Sequence, residues 1–587
     1  MQPTPTIATT FQRPLIQYLF LYLIVLCVYV PTFWFTFVWD DWYMIARNES
    51  IREWKNLPVF FTDASTFIHD PDSASVYAWR PIRNVYYLLT FKLQGFHPAG
   101  WHFQHVLLYA LLSTFVLAFF HRLYRYAKAW PAHQVLPVPV QFATFIAVLC
   151  WAVHPANNEI AAWLKSADDV LGTLFAISAF IILFPANHRL TATRAVIATL
   201  LMATAFLAKE SIVPFAVLFP ILALILSPAP RVTLRQRPFW IASVLIFATF
   251  VVYMILRTAI LGKIEQVPYL AGNLPNMMIT MIPAAARYLQ VTFWPFPPTQ
   301  FIGDYKGWWM YSYFNDPAVI WSLCLIGIFI VLTIPALRRS RIFAAGIFFT
   351  LLTALPYANI VPMMQVLAER FLFLPLIGLA LAGSILLAKW LSRGRLLLRL
   401  LSPIALTAGL ITTTTLALPM WTDNTLFYRS IVERMPTNYR ATYNYAHVLL
   451  DEGNSTAALH LMKTNLDAVP ENYDADIMIG HIYYMVNDYD QAKRHLTQTA
   501  QRHPDKYRPW VYLGEIVKSE GQTTDSLPFF DKAVDAEPNV AEPWSRRALA
   551  YDEAGNTTEA LRSYQKLLEI RPNDTSATLA IQRLKEN

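Results

Sequence analysis

Cysteine and charge are both scarce in this chain. Only Cys27, Cys150 and Cys324 occur in 587 residues, each inside an apolar run. That excludes a disulfide framework and a thiolate metal site as organising devices. Charged residues make up 15% of the chain and hydrophobic residues 55%, too apolar for an ordinary soluble domain. The net charge of +8 calls for no nucleic-acid partner, because the basic residues cluster beside apolar segments, where they set membrane orientation. Segment 14–36 is longer than a signal-peptide core and lacks a small-residue cleavage site, so it is expected to be a retained first span.

What the sequence has in abundance is long apolar segments. Eleven candidate spans fall at 14–36, 102–121, 139–154, 168–185, 192–208, 211–227, 239–261, 318–336, 342–361, 369–390 and 399–420. The connectors HRLYRYAK (121–128), NHRLTATR (187–194), RVTLRQR (231–237), RRSR (338–341) and KWLSRGRLLLR (389–399) are basic, and they are every second connector. The positive-inside rule assigns them to the cytoplasm. The first loop, 37–101, a second long loop, 262–317, and the C-terminal region are then expected on the extracytoplasmic side. The apolar stretch 277–298 is expected to be interfacial or re-entrant, because a crossing there would break the alternation. Prolines 283, 295, 297 and 298 predict an irregular path for it. Trp34, Trp39, Trp42, Trp54, Trp308 and Trp309 read as an interfacial belt.

From residue 421 the chain turns polar and periodic. Prolines recur at 436, 470, 504, 538 and 572, a spacing of 34, and small residues recur in the same register at Ala458, Ala492, Ser526 and Ala560. This is the tetratricopeptide period, a helix–turn–helix unit in which small residues admit a neighbouring helix. The fold expected is therefore all-α: a polytopic membrane domain over 1–420 and an α-solenoid of about four repeats over 421–587. Such a groove is suited to binding an acceptor or partner protein, although docking on the membrane domain alone is the simpler structural alternative.

The expected outer face gathers ionisable side chains. FVWDDWYMIARN (37–48) carries adjacent Asp40 and Asp41. WRPI contributes Arg80, with Arg83 beyond it. HPANNEIAAWLKSADD (154–169) carries His154, Glu159, Lys165, Asp168 and Asp169. AKES contributes Lys209 and Glu210, and AER contributes Glu369 and Arg370. Charges at membrane depth are costly and are usually paired or functional. Group transfer from a lipid-linked phosphate needs cations at the phosphate, here Lys209, Arg370 and Arg80. Transfer to a hydroxyl needs a carboxylate to accept the proton, here Asp40 or Asp41. Two adjacent acids also repel, which raises the pKa of one. Against this stand plainer readings: a solvated helix cap for the acid pair, a span end for His154, and snorkelling for Lys209 and Arg370. A carboxylate–histidine site for a divalent ion is a further alternative, disfavoured because no tight ligand spacing appears.

The ordered set WDD…N (39–48), WRPIRNVYYLLTFKLQGFHPAGWHFQHVLLYA (79–110), WAVHPANNEIAAWLKSADDVLGTLF (151–175), LAKES (207–211) and AERFLFLPLIG (369–378), together with the repeats, resembles the transmembrane and TPR repeat-containing (TMTC-type) O-mannosyltransferases and their bacterial relatives. These are membrane glycosyltransferases of the GT-C fold. The resemblance implies a polyprenyl-phosphate sugar donor, mannose or another hexose, and an acceptor hydroxyl on protein Ser or Thr. It implies an inverting displacement with an acid of the first outer loop, Asp40 or Asp41, as base. It implies donor-phosphate contacts from the Lys209–Glu210 and Glu369–Arg370 pairs. Relatives commonly carry an arginine two residues before the acid that aligns with Asp169; here that position is Ala167, with Lys165 nearby, and a lysine lacks the bidentate fork of arginine.

Three readings are compatible with these residues: a glycosyltransferase working on a protein, or on a cell-surface glycan or lipid; an inactive anchor that displays the repeats; and a lipid-linked-sugar transporter. The transporter would favour charges deep within several spans, whereas these gather at the span ends. A bacterial inner membrane with the site facing outward is expected, or the endoplasmic reticulum membrane in a eukaryote. The sequons at Asn48, Asn454, Asn556 and Asn573 fall on the expected outer side, and a glycan on Asn48 would crowd the site.

Overall fold

The computed structural model describes residues 13–67, 78–128, 137–262, 268–296, 310–363, 365–392, 396–436, 438–470, 472–571 and 574–586. Pro297, Pro298, Trp308, Trp309, Pro572, Asn573 and residues 393–395 of the last basic connector lie outside them. Among the described residues every regular element is helical. The chain forms two compact units that divide between Phe427 and Tyr428.

In the first unit, seven helices are long and apolar enough to cross a bilayer: Pro14–Trp34, Pro98–Ala127, Leu164–Leu183, Arg237–Leu261, Pro317–Arg339, Glu369–Leu391 and Arg399–Trp421. An eighth crossing arises if Val138–Ala152 and Pro155–Ala162, bent by 55°, count as one broken span. Ala192–Ala208, Glu210–Leu226 and Arg341–Tyr357 are apolar but shorter. The eleven segments are all helical, and the shorter ones stop where polar groups or prolines interrupt them, as at Lys209. Exposed Val244, Val252 and Ile255 on one long helix, and Trp321, Val331 and Leu332 on another, present apolar surface that only lipid satisfies.

Over 277–293 the irregular path expected from the prolines is not what forms. Leu274–Phe293 is one α-helix that runs through Pro283. Met277, Thr280, Ala284 and Val291 are buried along one stripe, so side-chain packing carries the helix past the hydrogen bond that proline cannot donate.

Helices Arg341–Ala354 and Phe373–Leu391 cross at Gly346 and Gly378. A Cβ on Gly378 would lie 2.5 Å from the Gly346 carbonyl oxygen and 2.6 Å from the Thr350 backbone nitrogen. Small residues let membrane helices approach this closely. Trp151 Nε1 donates to the Phe373 carbonyl at 3.1 Å and ties the same helix to Val138–Ala152.

The second unit is a stack of helix pairs: Tyr439–Asp451 with Ser455–Ala468, Tyr473–Met485 with Tyr489–Arg502, Arg508–Ser519 with Thr523–Ala536, and Ala541–Glu553 with Thr557–Ile570, closed by Thr575–Glu586. The register residues Ala458, Ala492, Ser526 and Ala560 are fully buried. Each pair turns through a left-handed residue, Gly453, Asn487, Gly521 or Gly555. Glycine and asparagine adopt this conformation most readily. Sequon residues Asn454 and Asn556 cap helices, accepting from Ala457 N and Glu559 N at 3.2 Å each. Asn48 is buried and donates to the Thr66 carbonyl at 3.2 Å, so it is held within the protein.

His447 and His481 face each other at 5.7 Å, with Tyr443 against the first and Tyr512 against the second. Burial, with His447 adding, pushes the His481 imidazole down to about 4. The unfolded chain, with an ordinary value of about 6.5, then binds more protons than the folded one between those limits. Stability of this unit is expected to fall as pH drops from about 6.5 toward 4. His481→Gln should flatten that fall, read by hydrogen exchange in Tyr439–Asp451 and Tyr473–Met485 of the full chain. In the other unit, Gly378→Ala should cost about 1–3 kcal/mol, read as a lowered thermal midpoint in detergent.

Candidate active site

The chain leaves the first long helix extended and reverses at Trp39, whose φ of 57° is left-handed. The reversal separates the two acids. Asp41 is 1% exposed. Its Oδ2 accepts from Val38 N at 3.3 Å and its Oδ1 from Lys165 N at 2.9 Å. Burial pushes the Asp41 carboxyl well above the ordinary range against those two donors, and the charge on Asp40 adds to the rise. Asp40 is partly exposed. The loop beyond is fixed by Arg83, which is fully buried and donates to the Phe67 carbonyl at 2.7 Å and to Asn84 Oδ1 at 2.9 Å. Its guanidinium lies 3.9 Å from the centre of the Phe67 ring.

Behind the acids lies a buried lattice of ion pairs. Arg80 immediately precedes helix Pro81–Gln94, while Asp168 and Asp169 occupy the first turn of Ala167–Leu183, where the helix dipole favours negative charge. Arg80 pairs with Asp168 and with Glu210, and its Nε lies 3.0 Å from Glu210 Oε2. Lys209 pairs with Asp168 at 3.1 Å and with Asp169. Burial alone would lower the Arg80 guanidinium, but Glu210 and Asp168 outweigh it and hold it well above its usual value. Lys209 and Glu210, adjacent in sequence and both expected at the donor phosphate, face different partners: Glu210 goes to Arg80 and Lys209 to the two aspartates.

Glu369 and Arg370, the second such adjacent pair, also face different partners. Arg370 pairs with Glu159 and Gln365, and its backbone N donates to Glu159 Oε2 at 3.3 Å. Glu369 is buried, within electrostatic reach of Arg287 on helix Leu274–Phe293. His154 spends both ring nitrogens on the helix break: Nδ1 accepts from Ala156 N and Nε2 contacts the Thr292 carbonyl, each at 3.2 Å. It is a structural residue at a span end.

The two clusters meet at Trp163, a residue the sequence did not single out. Its indole is 1% exposed. Trp39 stacks on it at 4.6 Å and 9°. Lys165 Nζ lies 4.8 Å from the centre of the same ring, and the Arg370 guanidinium 5.8 Å. Asp40 is within electrostatic reach of Arg370. Lys165 is 8% exposed and, among the described residues, has no ion-pair partner, unlike Arg80, Lys209 and Arg370. Trp39 is thus part of the site, while Trp34 and Trp54, both well exposed, fit the interfacial belt. Among the described residues no three His, Cys, Asp or Glu side chains converge as metal ligands.

Tetratricopeptide repeat models match residues 449–513 and 541–574. Two curated proteins align with most of the chain. Protein O-mannosyl-transferase TMTC4 from Mus musculus is 24% identical over 481 residues, and its Homo sapiens counterpart 23% over 476. Each alignment covers 72% of this chain and 62% of the relative, so the match spans less than two thirds of those proteins. Among solved structures, the tetratricopeptide protein TTC0263 of Thermus thermophilus is 19% identical, covering 30% of this chain and 95% of that one at a TM-score of 0.26. MamA is 18% identical, covering 25% and 87% at 0.22. The fold defines a membrane protein that carries a tetratricopeptide array. The TMTC4 alignments and the repeat matches agree with the resemblance of the sequence to the TMTC-type proteins.

Removing one cation from the lattice leaves buried carboxylates uncompensated. Lys209→Met, which strands Asp169 beside Asp168, should destabilise the first unit by about 3–5 kcal/mol. Asp169→Asn should cost less. Thermal midpoints of the two variants in detergent check the order.

Proposed function

We propose that the chain is a membrane glycosyltransferase that moves a hexose from a polyprenyl-phosphate donor to an acceptor hydroxyl, on protein Ser or Thr, at the extracytoplasmic face. The observation that carries the reading is that Lys165 and Arg370 lie against the Trp163 ring on which Trp39 stacks, with Asp40 next to Trp39 and within electrostatic reach of Arg370. This arrangement supplies a proton acceptor and two cations at one boundary, the minimum that transfer from a phosphate to a hydroxyl requires. The similarity to TMTC4, whose name states O-mannosyl transfer, supports the same reading.

Of the two acids, Asp40 is the base. It is the more exposed, whereas both oxygens of Asp41 hold backbone N–H groups, so Asp41 shapes the loop. Lys165 contacts the donor phosphate, with Arg370 beside it. Arg80 and Lys209, expected from sequence to do so, are each committed to two carboxylates and hold the scaffold. In the reaction the acceptor oxygen attacks the anomeric carbon as the bond to the phosphate oxygen breaks. Asp40 takes the hydroxyl proton, and polyprenyl phosphate leaves with its new charge facing Lys165 and Arg370. The repeats bind the acceptor protein. The membrane is a bacterial inner membrane with the site facing the periplasm or exterior, or the endoplasmic reticulum membrane in a eukaryote.

The test is sugar transfer by purified protein offered a panel of polyprenyl-phosphate hexoses, following release of polyprenyl phosphate. Asp40→Asn should lose about 10²–10⁴-fold in kcat, the range for general-base removal. Lys165→Met should lose turnover that Lys165→Arg partly retains. Absence of transfer from any donor by the wild-type protein overturns the reading.

A further inference from the structure

The last apolar helix of the first unit, Leu396–Ala417, is followed by a short turn, Leu418–Trp421, and then by residues that pack against the acid-bearing loop. Thr36 donates to the Thr422 carbonyl through its backbone N at 2.8 Å and its Oγ1 at 3.1 Å. Trp39 N donates to Asn424 Oδ1 at 2.8 Å. Phe427 lies 5.5 Å from the Trp39 ring, on which Trp163 also stacks at 4.6 Å. Trp421 contacts both Trp163, at 6.1 Å, and Phe427, at 5.1 Å.

Trp39 is the point on which these contacts converge. A bulky residue at positive φ is disfavoured, and such a conformation persists only where its surroundings over-determine it. Here the stacked rings hold the side chain and the Asn424 amide oxygen holds the backbone N–H. The next helical turn depends on that reversal: the Asp40 carbonyl starts it by accepting from Tyr43 N at 3.1 Å and Met44 N at 2.9 Å. A residue in an ordinary extended or helical conformation at 39 would send the Asp40 side chain elsewhere.

We propose that Asn424, together with Phe427, positions the base of this enzyme: residues 421–427 are a component of the active site rather than a linker between the last span and the repeats. The inference rests on the proposed function for its kinetic consequences, but its geometric claim stands on its own. Asn424 is a positioning residue that touches no reacting atom and acts through Trp39.

The test uses the full chain with Asn424→Ala, Asn424→Ser, whose hydroxyl is too short to reach, and Asn424→Asp, which keeps an acceptor oxygen. Two readouts are taken on protein whose thermal midpoint shows it folded. The first is the pH profile of sugar transfer. The second, independent of turnover, is the rate at which a water-soluble carbodiimide labels Asp40, followed by peptide mass spectrometry. In the Ala and Ser variants kcat should fall about tenfold to a hundredfold, the scale of a small misplacement, with KM for the donor little changed. The acid limb of the profile should shift, because the distance between Asp40 and Arg370 changes. The labelling rate of Asp40 should change, and the Asp variant, which keeps the acceptor oxygen but adds a charge near Asp40, should recover kcat toward wild type while its acid limb stays shifted to higher pH. Unchanged profile and labelling in a folded Ala or Ser variant overturn the inference while wild-type transfer still upholds the proposed function. If the wild type transfers nothing, the proposed function fails and the labelling rates alone decide the positioning claim. A variant that loses only thermal stability, with labelling unchanged at lower temperature, counts against it.

Discussion

Asp168 is the constraint on which the first unit turns. A fully buried carboxylate is intolerable in a low-dielectric interior unless it is compensated, and this one is shared by two cations from different parts of the chain. Arg80 comes from the end of the first loop and Lys209 from the break between two short apolar helices. Neutrality at a single residue therefore fixes three distant segments at once. Because Glu210 and Asp169 extend the same network, two cations there serve three carboxylates, and the neighbouring Lys165 adds its attraction to Asp168 without forming an ion pair with it. Apolar packing alone would leave helices in a membrane free to slide, since lipid solvates their side chains as well as neighbouring helices do.

That lattice is the floor of the site, and the indole of Trp163 is its wall. The cluster is ordered from the inside outward, from compensated charge through aromatic surface to a partly exposed acid. Lys165 is fixed at both ends of the residue: its side chain lies over the Trp163 ring and its peptide N–H is bound to Asp41.

Much of the architecture was legible in the sequence because it rests on periodicity. The 34-residue recurrence of Ala458, Ala492, Ser526 and Ala560 marks four buried helix crossings, and each apolar segment became a helix. The acids and bases of the site were legible as types, since charge beside an apolar run is rare. Their pairing was not. Lys209 and Glu210 are adjacent in sequence, yet a helix break turns them to different partners, and nothing local records which way each points. Trp163 was invisible because a tryptophan near a span end is ordinarily an interfacial anchor, and only the fold brings Trp39 and Trp421 against it. The helix through Pro283 was missed because proline was weighed as a local breaker, while the buried stripe that overrides it is a tertiary effect.

One residue contributes to two functions at once. The backbone of Lys165 secures an acid, while its side chain lies over the Trp163 ring. The two roles are separable: every residue except proline offers the same N–H to Asp41, so the side chain at 165 can be exchanged without releasing the loop. Position 165 is therefore a place where the chemistry beside the acids can be retuned while their anchorage is kept, with proline as the one replacement that forfeits it.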